Sequence, residues 1–293
     1  MWWEAARPKT LWAAVSPVLI GIAIAFHYEK VHVLAAVLAF LGAILIQIGT
    51  NFYNDLADFQ KGADSETRKG PRRLVQAGMI SQQAMRVATV LTFGMAVVSG
   101  IYLMIRGGYP IVAIGIASIL FGLLYTGGKY SLAYLGIADL FVLAFFGPIA
   151  VAGTFYVQAL DWPMVVWLAG LSPGLLAVAI LLVNNIRDRE QDALAGKRTL
   201  IVRFGRSVGL RLYSTAIVLC FVVVVVQVAL HGVTAFTLLS FLSLPAMVKA
   251  ARSLGNIPDE RSQEMNPILA QTAKNLLLFS ILYSVGWIIG GLY

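Results

Sequence analysis

The sequence has few charged residues, one cysteine and three histidines, and each shortage excludes a class of protein or site. Asp, Glu, Lys and Arg make up 12% of the 293 residues, against roughly one quarter in soluble globular domains. Cys220 cannot form a disulfide within the chain. The histidines His27, His32 and His231 lie at ends of apolar runs, away from the other polar groups. A soluble domain is therefore excluded, and a histidine-based metal or acid–base centre is not expected.

The chain also lacks any segment that resembles a nucleic-acid-binding module, although its net charge is +8. No nucleic-acid partner is therefore expected. The N-terminal segment lacks the early basic region and the small-residue cleavage site of a secretory signal. We predict that the first apolar run is retained as a membrane helix.

Nine apolar runs are long enough to cross about 30 Å of hydrocarbon as helices. They cover residues 10–28, 33–57, 84–105, 110–126, 136–158, 162–186, 208–230, 233–249 and 267–292. Hydrophobic residues make up 59% of the chain, which is typical of a polytopic protein embedded in a lipid bilayer. We predict an all-α membrane protein with about nine transmembrane helices and a single domain over residues 1–293.

The basic residues predict the orientation of these helices. If the N-terminus is cytoplasmic, all of the 22 Lys and Arg residues except Lys30 and Arg106 fall at the cytoplasmic side. Cytoplasmic loops of membrane proteins carry such an excess of positive charge. With nine helices, the C-terminus is then expected outside.

The second apolar run carries polar residues at helical spacing. Gln47, Asn51 and Asp55 are four residues apart, and Asp58 follows three residues later. This spacing places them on one face of a helix. We interpret Gln47 as an interhelical hydrogen-bonding residue, whereas ionisable residues inside a membrane indicate a functional site.

The end of the sixth run repeats this design, because Asn184, Asp188 and Asp192 are again four residues apart. Asn51 and Asn184 are 133 residues apart, and both occur at a predicted cytoplasmic helix end. We therefore predict a parallel repeat of four helices, residues 10–126 and 136–249, with the helix at 267–292 added.

These two acidic faces predict a metal-bound diphosphate at one membrane side. Carboxylate and amide oxygens suit Mg²⁺, which is commonly held by a few carboxylates together with substrate phosphates. The predicted metal ligands are Asn51, Asp55, Asp58, Asp188 and Asp192. The basic residues predicted to bind diphosphate are Lys61, Arg72, Arg73, Lys129, Lys197 and Arg198. The loop at 59–80 is expected to cap the cytoplasmic mouth.

Such a site predicts ionisation of an allylic carbon–oxygen bond, since metal and cations stabilise the charge that develops on diphosphate. The predicted catalytic residues are Asn51, Asp55, Asp58, Asn184, Asp188 and Asp192. Aromatic side chains could stabilise a carbocation by cation–π contacts. The candidates are Tyr53, Tyr125, Tyr130, Phe145 and Phe155.

The same strings resemble the UbiA-type intramembrane aromatic prenyltransferases over the whole chain. EAARPKTL, NFYNDLADFQKGAD, RKGPRRLVQAG, the run from YTGGKYSLAYLGIADL to FFGPIAVAGT, and MNPILAQTA are similar to its menaquinone branch, the 1,4-dihydroxy-2-naphthoate polyprenyltransferases. In one respect the chain departs from the family pattern. NDxxDxxxD laid on Asn54, Asp55 and Asp58 requires an acid at position 62, where this chain has Gly62, with Asp64 nearby.

The resemblance implies a helical bundle around a lipid-open cavity, in which Mg²⁺ bridges the acids and a polyprenyl diphosphate. It implies transfer of the polyprenyl group to 1,4-dihydroxy-2-naphthoate with loss of CO₂, giving demethylmenaquinone and diphosphate, in a bacterial inner membrane with a cytoplasmic active site. The open alternatives are another acceptor (4-hydroxybenzoate, homogentisate or haem) and a cation-coupled secondary transporter. Against transport, no pair of helices broken by proline or glycine marks a central site.

Overall fold

The protein is described by a computed structural model that covers residues 1–61, 70, 73–128 and 131–292. Within these residues, nine helical segments are long and apolar enough to cross a membrane. We number them α1 to α9. They are Pro8–His27, Val33–Gln60, Gln82–Gly107, Tyr109–Thr126, Ala138–Ala159, Met164–Arg187, Arg206–His231, Ala235–Asn256 and Asp259–Gly290. The predicted all-helical membrane fold is confirmed, whereas the orientation of the termini stays a prediction.

Three of these segments are not uniform α-helices. α5 consists of Ala138–Phe145 and Pro148–Ala159, because a proline has no N–H with which to continue the helical hydrogen bonds. The sequence predicts a continuous helix there. α8 and α9 begin with 3₁₀ turns, at Ala235–Ser243 and Asp259–Glu264. Four short helices lie outside the spanning segments: Trp2–Ala5, Leu132–Leu135, Arg189–Leu194 and Leu200–Phe204.

Side-chain caps define the starts of α2 and α3. The His32 ring nitrogen Nδ1 accepts a hydrogen bond from the Ala35 N–H at 3.2 Å. The Ser81 hydroxyl accepts one from the Ala84 N–H at 3.1 Å. Each cap satisfies a backbone donor that the first helical turn leaves without a partner. His32 therefore has a structural role at the start of α2.

The helices form two packed groups. α2, α3 and α4 pack on one another, and α1 together with α5 to α9 shares the main apolar core. That core contains the largest fully buried side chains, among them Tyr213, Phe279, Tyr283 and Trp287. α1 packs against α2 on one side and α9 on the other. A cavity remains between the two groups, and it contains the candidate site.

The break in α5 is held against α6 by a very close backbone contact. Gly170 on α6 lies directly beside Gly147 and Pro148 on α5. A Cβ atom at position 170 would lie 2.6 Å from the backbone nitrogen of Pro148. Only glycine permits this approach, and the crossing positions the half of α5 that lines the cavity.

We expect Gly170→Ala to destabilise the protein by about 1–3 kcal/mol, since the added methyl group meets backbone and not a movable side chain. Thermal unfolding of the purified protein in detergent would measure the change. Gly94→Ala on α3 is the matched control, because no atom lies within 4 Å of its added Cβ. Equal midpoints for both variants would contradict the prediction.

Candidate active site in the membrane cavity

A cavity of about 1060 Å³ lies in the described part of the chain and is lined by α1 to α6 and α9. Most of its wall is apolar. Residues of this apolar wall include Phe121, Tyr125, Phe141, Phe145, Ile149 and Ile180. The polar end of the cavity, where α2 and α6 end, is lined by Asn54, Asp58, Asn184, Asp188 and Asp192. A long apolar ligand with a charged head matches this division.

The last two turns of α2 bring two of these side chains to the cavity. Asn54 and Asp58 are four residues apart, and both line the polar end. The Thr126 hydroxyl donates a 2.7 Å hydrogen bond to Asn54 Oδ1. Asp58 forms an ion pair with Arg73, and both side chains are 6% exposed. The carboxylate of Asp58 is therefore placed at the cavity together with a buried counter-ion.

Asn51 also lines the cavity, but its amide group holds the N-terminal segment. Asn51 Nδ2 donates to the carbonyl oxygen of Ala6 at 2.8 Å and to the Thr10 hydroxyl at 3.1 Å. Gln47 Nε2 donates to Asn51 Oδ1 at 3.4 Å. Asn51 thus joins α2 to the start of α1, and Gln47 makes its hydrogen bond within α2.

Asp55 does not line the cavity. Its carboxylate oxygens accept hydrogen bonds from the backbone N–H groups of Leu74 and Val75, at 3.1 and 3.2 Å. These two residues are buried against an apolar cluster that includes Phe52 and Leu56 on α2. Asp55 therefore anchors the described end of the loop that precedes α3, beside Arg73.

The end of α6 is organised by one buried arginine. The Arg187 side chain is 1% exposed and donates to both carboxylate oxygens of Asp188, at 2.7 and 2.6 Å. It also donates to Asn184 Oδ1 at 2.6 Å and to Asn266 Oδ1 on α9 at 2.8 Å. This guanidinium group connects two predicted site residues to the start of α9.

Asp192 lies on the short helix after α6 and forms the third ion pair of the polar end. Lys197 Nζ is 2.9 Å from Asp192 Oδ1, and both residues line the cavity. Burial alone would lower the pKa of the Lys197 ammonium group, but the carboxylates of Asp192 and Asp58 raise it above its usual value. Lys197 is therefore held in its charged form.

Lys61 and Arg198, which are also predicted to bind diphosphate, do not line the cavity. Lys61 Nζ donates to the carbonyl oxygen of Thr126 and lies 4.5 Å from the ring centre of Tyr134. The backbone N–H of Arg198 donates to the carbonyl oxygen of Tyr134 at 3.3 Å, and its side chain is exposed. Arg72 and Lys129 lie outside the described residues.

The chain matches a known protein family and several of its members. Residues 14–273 match the UbiA prenyltransferase family. This chain belongs to that family. It is 37% identical to the 1,4-dihydroxy-2-naphthoate octaprenyltransferase of Haemophilus influenzae, over 99% of this chain and 96% of that protein. It is 35% identical to the Escherichia coli protein of the same name, over 97% of this chain and 94% of that protein. The predicted family is confirmed, and the chain is an enzyme that transfers prenyl groups.

The architecture of this prenyltransferase is also found in a solved structure. A UbiA homolog from Archaeoglobus fulgidus, bound to GPP and Mg²⁺, superimposes with a TM-score of 0.66. The superposition covers 98% of this chain and 99% of that protein, at 16% sequence identity. It confirms the helical membrane fold of the family.

The polar end of the prenyltransferase cavity has the donor chemistry of a Mg²⁺ site. The oxygens of three carboxylates and two amides line it, and such oxygens suit a hard cation that also accepts phosphate oxygens. Within the described residues, no three His, Cys, Asp or Glu side chains form a metal-binding group by themselves. A metal held at this end would need further ligands, which phosphate oxygens of a substrate could supply.

The structure also brings together polar residues that the sequence does not single out. Asn54, Arg187, Gln191 and Asn266 all line the cavity. The sequence signal for Asn54 is its spacing. Asn54 and Asp58 are four residues apart, as are Asn184 and Asp188, and the second pair follows the first by 130 residues. No spacing signal points to Asn266, which reaches the site only because α9 packs beside α6.

Only some of the aromatic residues predicted to contact a carbocation line the cavity. Tyr125 and Phe145 line the cavity, whereas Phe155 is buried in the main core. Tyr53 does not line the cavity, and Tyr130 lies outside the described residues. Tyr125 and Phe145 are the candidates that remain for contact with a carbocation.

Proposed function

We propose that this prenyltransferase transfers a polyprenyl group from polyprenyl diphosphate to 1,4-dihydroxy-2-naphthoate in menaquinone biosynthesis. The names of the Haemophilus and Escherichia relatives support this acceptor, since they match nearly the full chain at 37% and 35% identity. We place the enzyme in the bacterial inner membrane with its polar end at the cytoplasmic side. The distribution of Lys and Arg supports this orientation.

The observation that carries the proposal is the charge pattern of the polar end. Three carboxylates and three cations meet there, at the mouth of an apolar cavity of about 1060 Å³. Carboxylates bind a divalent metal, and cations bind a diphosphate. The apolar wall takes the prenyl chain, so that one cavity accommodates both halves of the donor.

In this proposal Asp58, Asp188 and Asp192 hold Mg²⁺ together with Asn54 and Asn184. The bound metal would stabilise the negative charge that the diphosphate acquires as it leaves. Asn51 and Asp55 are then positioning residues, since their polar atoms bind the start of α1 and the loop before α3.

The cations of the site bind the leaving group. Arg73, Arg187 and Lys197 line the cavity beside the carboxylates. As the allylic carbon–oxygen bond breaks, its electron pair goes to the diphosphate, and these cations stabilise the resulting charge. Tyr125 and Phe145 on the apolar wall keep water from the carbocation and contact it with their ring faces.

The proposed acceptor needs no base for its ring carbon. A new carbon–carbon bond forms at the carbon that bears the carboxylate, and the bond to CO₂ breaks and returns its electron pair to the ring. No ring proton is removed, and the product is the reduced form of demethylmenaquinone. With 4-hydroxybenzoate, a ring proton would have to leave.

We expect purified protein in lipid nanodiscs to convert a polyprenyl diphosphate and 1,4-dihydroxy-2-naphthoate to a prenylated naphthoquinol only when Mg²⁺ is present. Each turnover should release one CO₂ from carboxyl-labelled acceptor. Mass spectrometry of the extracted lipid and counting of the trapped CO₂ would measure both products.

The same assay decides among acceptors when 4-hydroxybenzoate, homogentisate and haem are supplied in parallel. Prenylation of one of these, without reaction of the naphthoate, would overturn the proposed acceptor but leave the prenyltransferase assignment intact. Product formation in EDTA would contradict the metal assignment.

A further inference from the structure

Each of the three aspartates that the structure describes at the polar end of the cavity is already paired with a cation of the same chain. Arg73 pairs with Asp58, Arg187 with Asp188, and Lys197 with Asp192. All six side chains line the cavity. In these three ion pairs, which we call the paired acids, a cation balances the charge of each carboxylate that the proposed function assigns to the metal.

The pairs come from separate parts of the chain and are built in different ways. Arg187 holds both oxygens of Asp188 and is itself fixed by Asn184 and Asn266. Lys197 reaches Asp192 with a single ammonium group, and its side chain is 20% exposed. The negative charge of all three aspartates at the polar end is therefore balanced by cations of the chain.

The charge of the cavity does not favour a free cation. Arg7, Lys9 and Glu4 also line it, so that the described lining residues comprise five basic and four acidic side chains. A free divalent metal would add positive charge beside the guanidinium or ammonium group that each carboxylate already holds. At Asp188, where Arg187 binds both oxygens, the metal would also take the carboxylate from its arginine. Such a loss is costly in a buried site.

Diphosphate removes this obstacle because it offers the displaced cations a new anionic partner. Arginine and lysine bind phosphate oxygens strongly, and the carboxylates are then free for the metal. We propose that metal and diphosphate bind this site as a coupled unit, so that the protein has low affinity for the metal until diphosphate draws Arg73, Arg187 and Lys197 away from the paired acids. This inference rests on the proposed function and adds an order of binding to it.

The coupling must be reciprocal, because both ligands bind the same protein at equilibrium. The factor by which diphosphate raises metal affinity equals the factor by which metal raises diphosphate affinity. A substitution that removes one cation should therefore have opposite effects on two measurements. It should strengthen the binding of metal measured without diphosphate. It should weaken the binding of diphosphate.

The experiment is equilibrium dialysis of the full-length protein in nanodiscs, with Mn²⁺ as the metal probe and inorganic diphosphate as the second ligand. Electron paramagnetic resonance of the protein-free compartment measures the concentration of free Mn²⁺. For the unmodified protein we expect diphosphate to raise Mn²⁺ affinity by at least about tenfold. Equal Mn²⁺ affinity with and without diphosphate would overturn the coupling.

Lys197→Met is the informative variant, because Lys197 makes the simplest of the three pairs. It should bind Mn²⁺ more tightly than the unmodified protein without diphosphate, and its coupling factor should be smaller. Lys249→Met on α8 makes the same chemical change outside the cavity and should behave as the unmodified protein. If Lys197→Met cannot be purified, Arg73→Met takes its place with the same expected results.

Two results separate this inference from the function on which it rests. Tight Mn²⁺ binding with the same affinity in the presence and absence of diphosphate would overturn the coupled binding but would still support the metal site. Absence of bound Mn²⁺ under both conditions would overturn the metal assignment itself. Unchanged Mn²⁺ binding in Lys197→Met would contradict the release of Asp192 by diphosphate.

Discussion

Asp58→Asn is expected to lower kcat about 100- to 1,000-fold, the usual loss when one preorganised charge is removed from an active site. Asp58 lines the polar end of the cavity and pairs with Arg73. Asparagine keeps the size of the side chain but lacks the charge that binds a metal. Steady-state turnover at saturating Mg²⁺ and substrates would measure the loss, with the thermal midpoint as a check on folding.

Asp55→Asn is the matched control on the same helix, three residues away. Asp55 accepts two backbone N–H hydrogen bonds and does not line the cavity. Asparagine can accept only one of them with its single carbonyl oxygen, and a lost buried partner costs about 1–3 kcal/mol. We therefore expect a lower thermal midpoint, with kcat affected far less than in Asp58→Asn. If the two variants lose turnover equally, the distinction between metal ligand and positioning residue is wrong.

Arg187→Met should be the most destabilising substitution at the polar end, with a loss of about 3–5 kcal/mol in the free energy of unfolding. It removes the guanidinium group that holds Asp188, Asn184 and Asn266 together. It also leaves Asp188 buried without its cation. Denaturation of the protein in detergent micelles would measure the change, and turnover should fall as well.

The double variant Arg187→Met/Asp188→Asn tests the cause of this loss. When both charges are absent, no buried carboxylate lacks a partner, so we expect much of the stability to return while turnover stays low. Arg106→Met is a suitable control, since Arg106 donates only to the backbone carbonyls of residues 157 and 158. It should lower stability modestly and leave kcat unchanged. A double variant as unstable as Arg187→Met alone would contradict the argument.

The sequence of α2 does not by itself indicate which Asn and Asp residues face the cavity. Two Asn–Asp pairs with an interval of four overlap there, Asn51 with Asp55 and Asn54 with Asp58. Helical periodicity places the members of each pair on one face of α2. The second pair begins three residues after the first, so the two pairs are centred on different directions around the helix axis. The choice depends on which neighbour covers each face. In the structure, residues 74 and 75 bind Asp55, and the cavity meets Asn54 and Asp58.

Composition and periodicity by themselves determined the membrane class, the nine helical segments and the presence of acids at the ends of α2 and α6, because hydropathy and helical spacing are local properties of the chain. The family was indicated separately, by the resemblance of strings such as NFYNDLADFQKGAD and RKGPRRLVQAG. Only the tertiary structure decided which polar residues share the cavity, and it brought Asn266 to Arg187 across 79 residues. Contacts between distant helices depend on packing, and packing at the polar end pairs each acid with a cation.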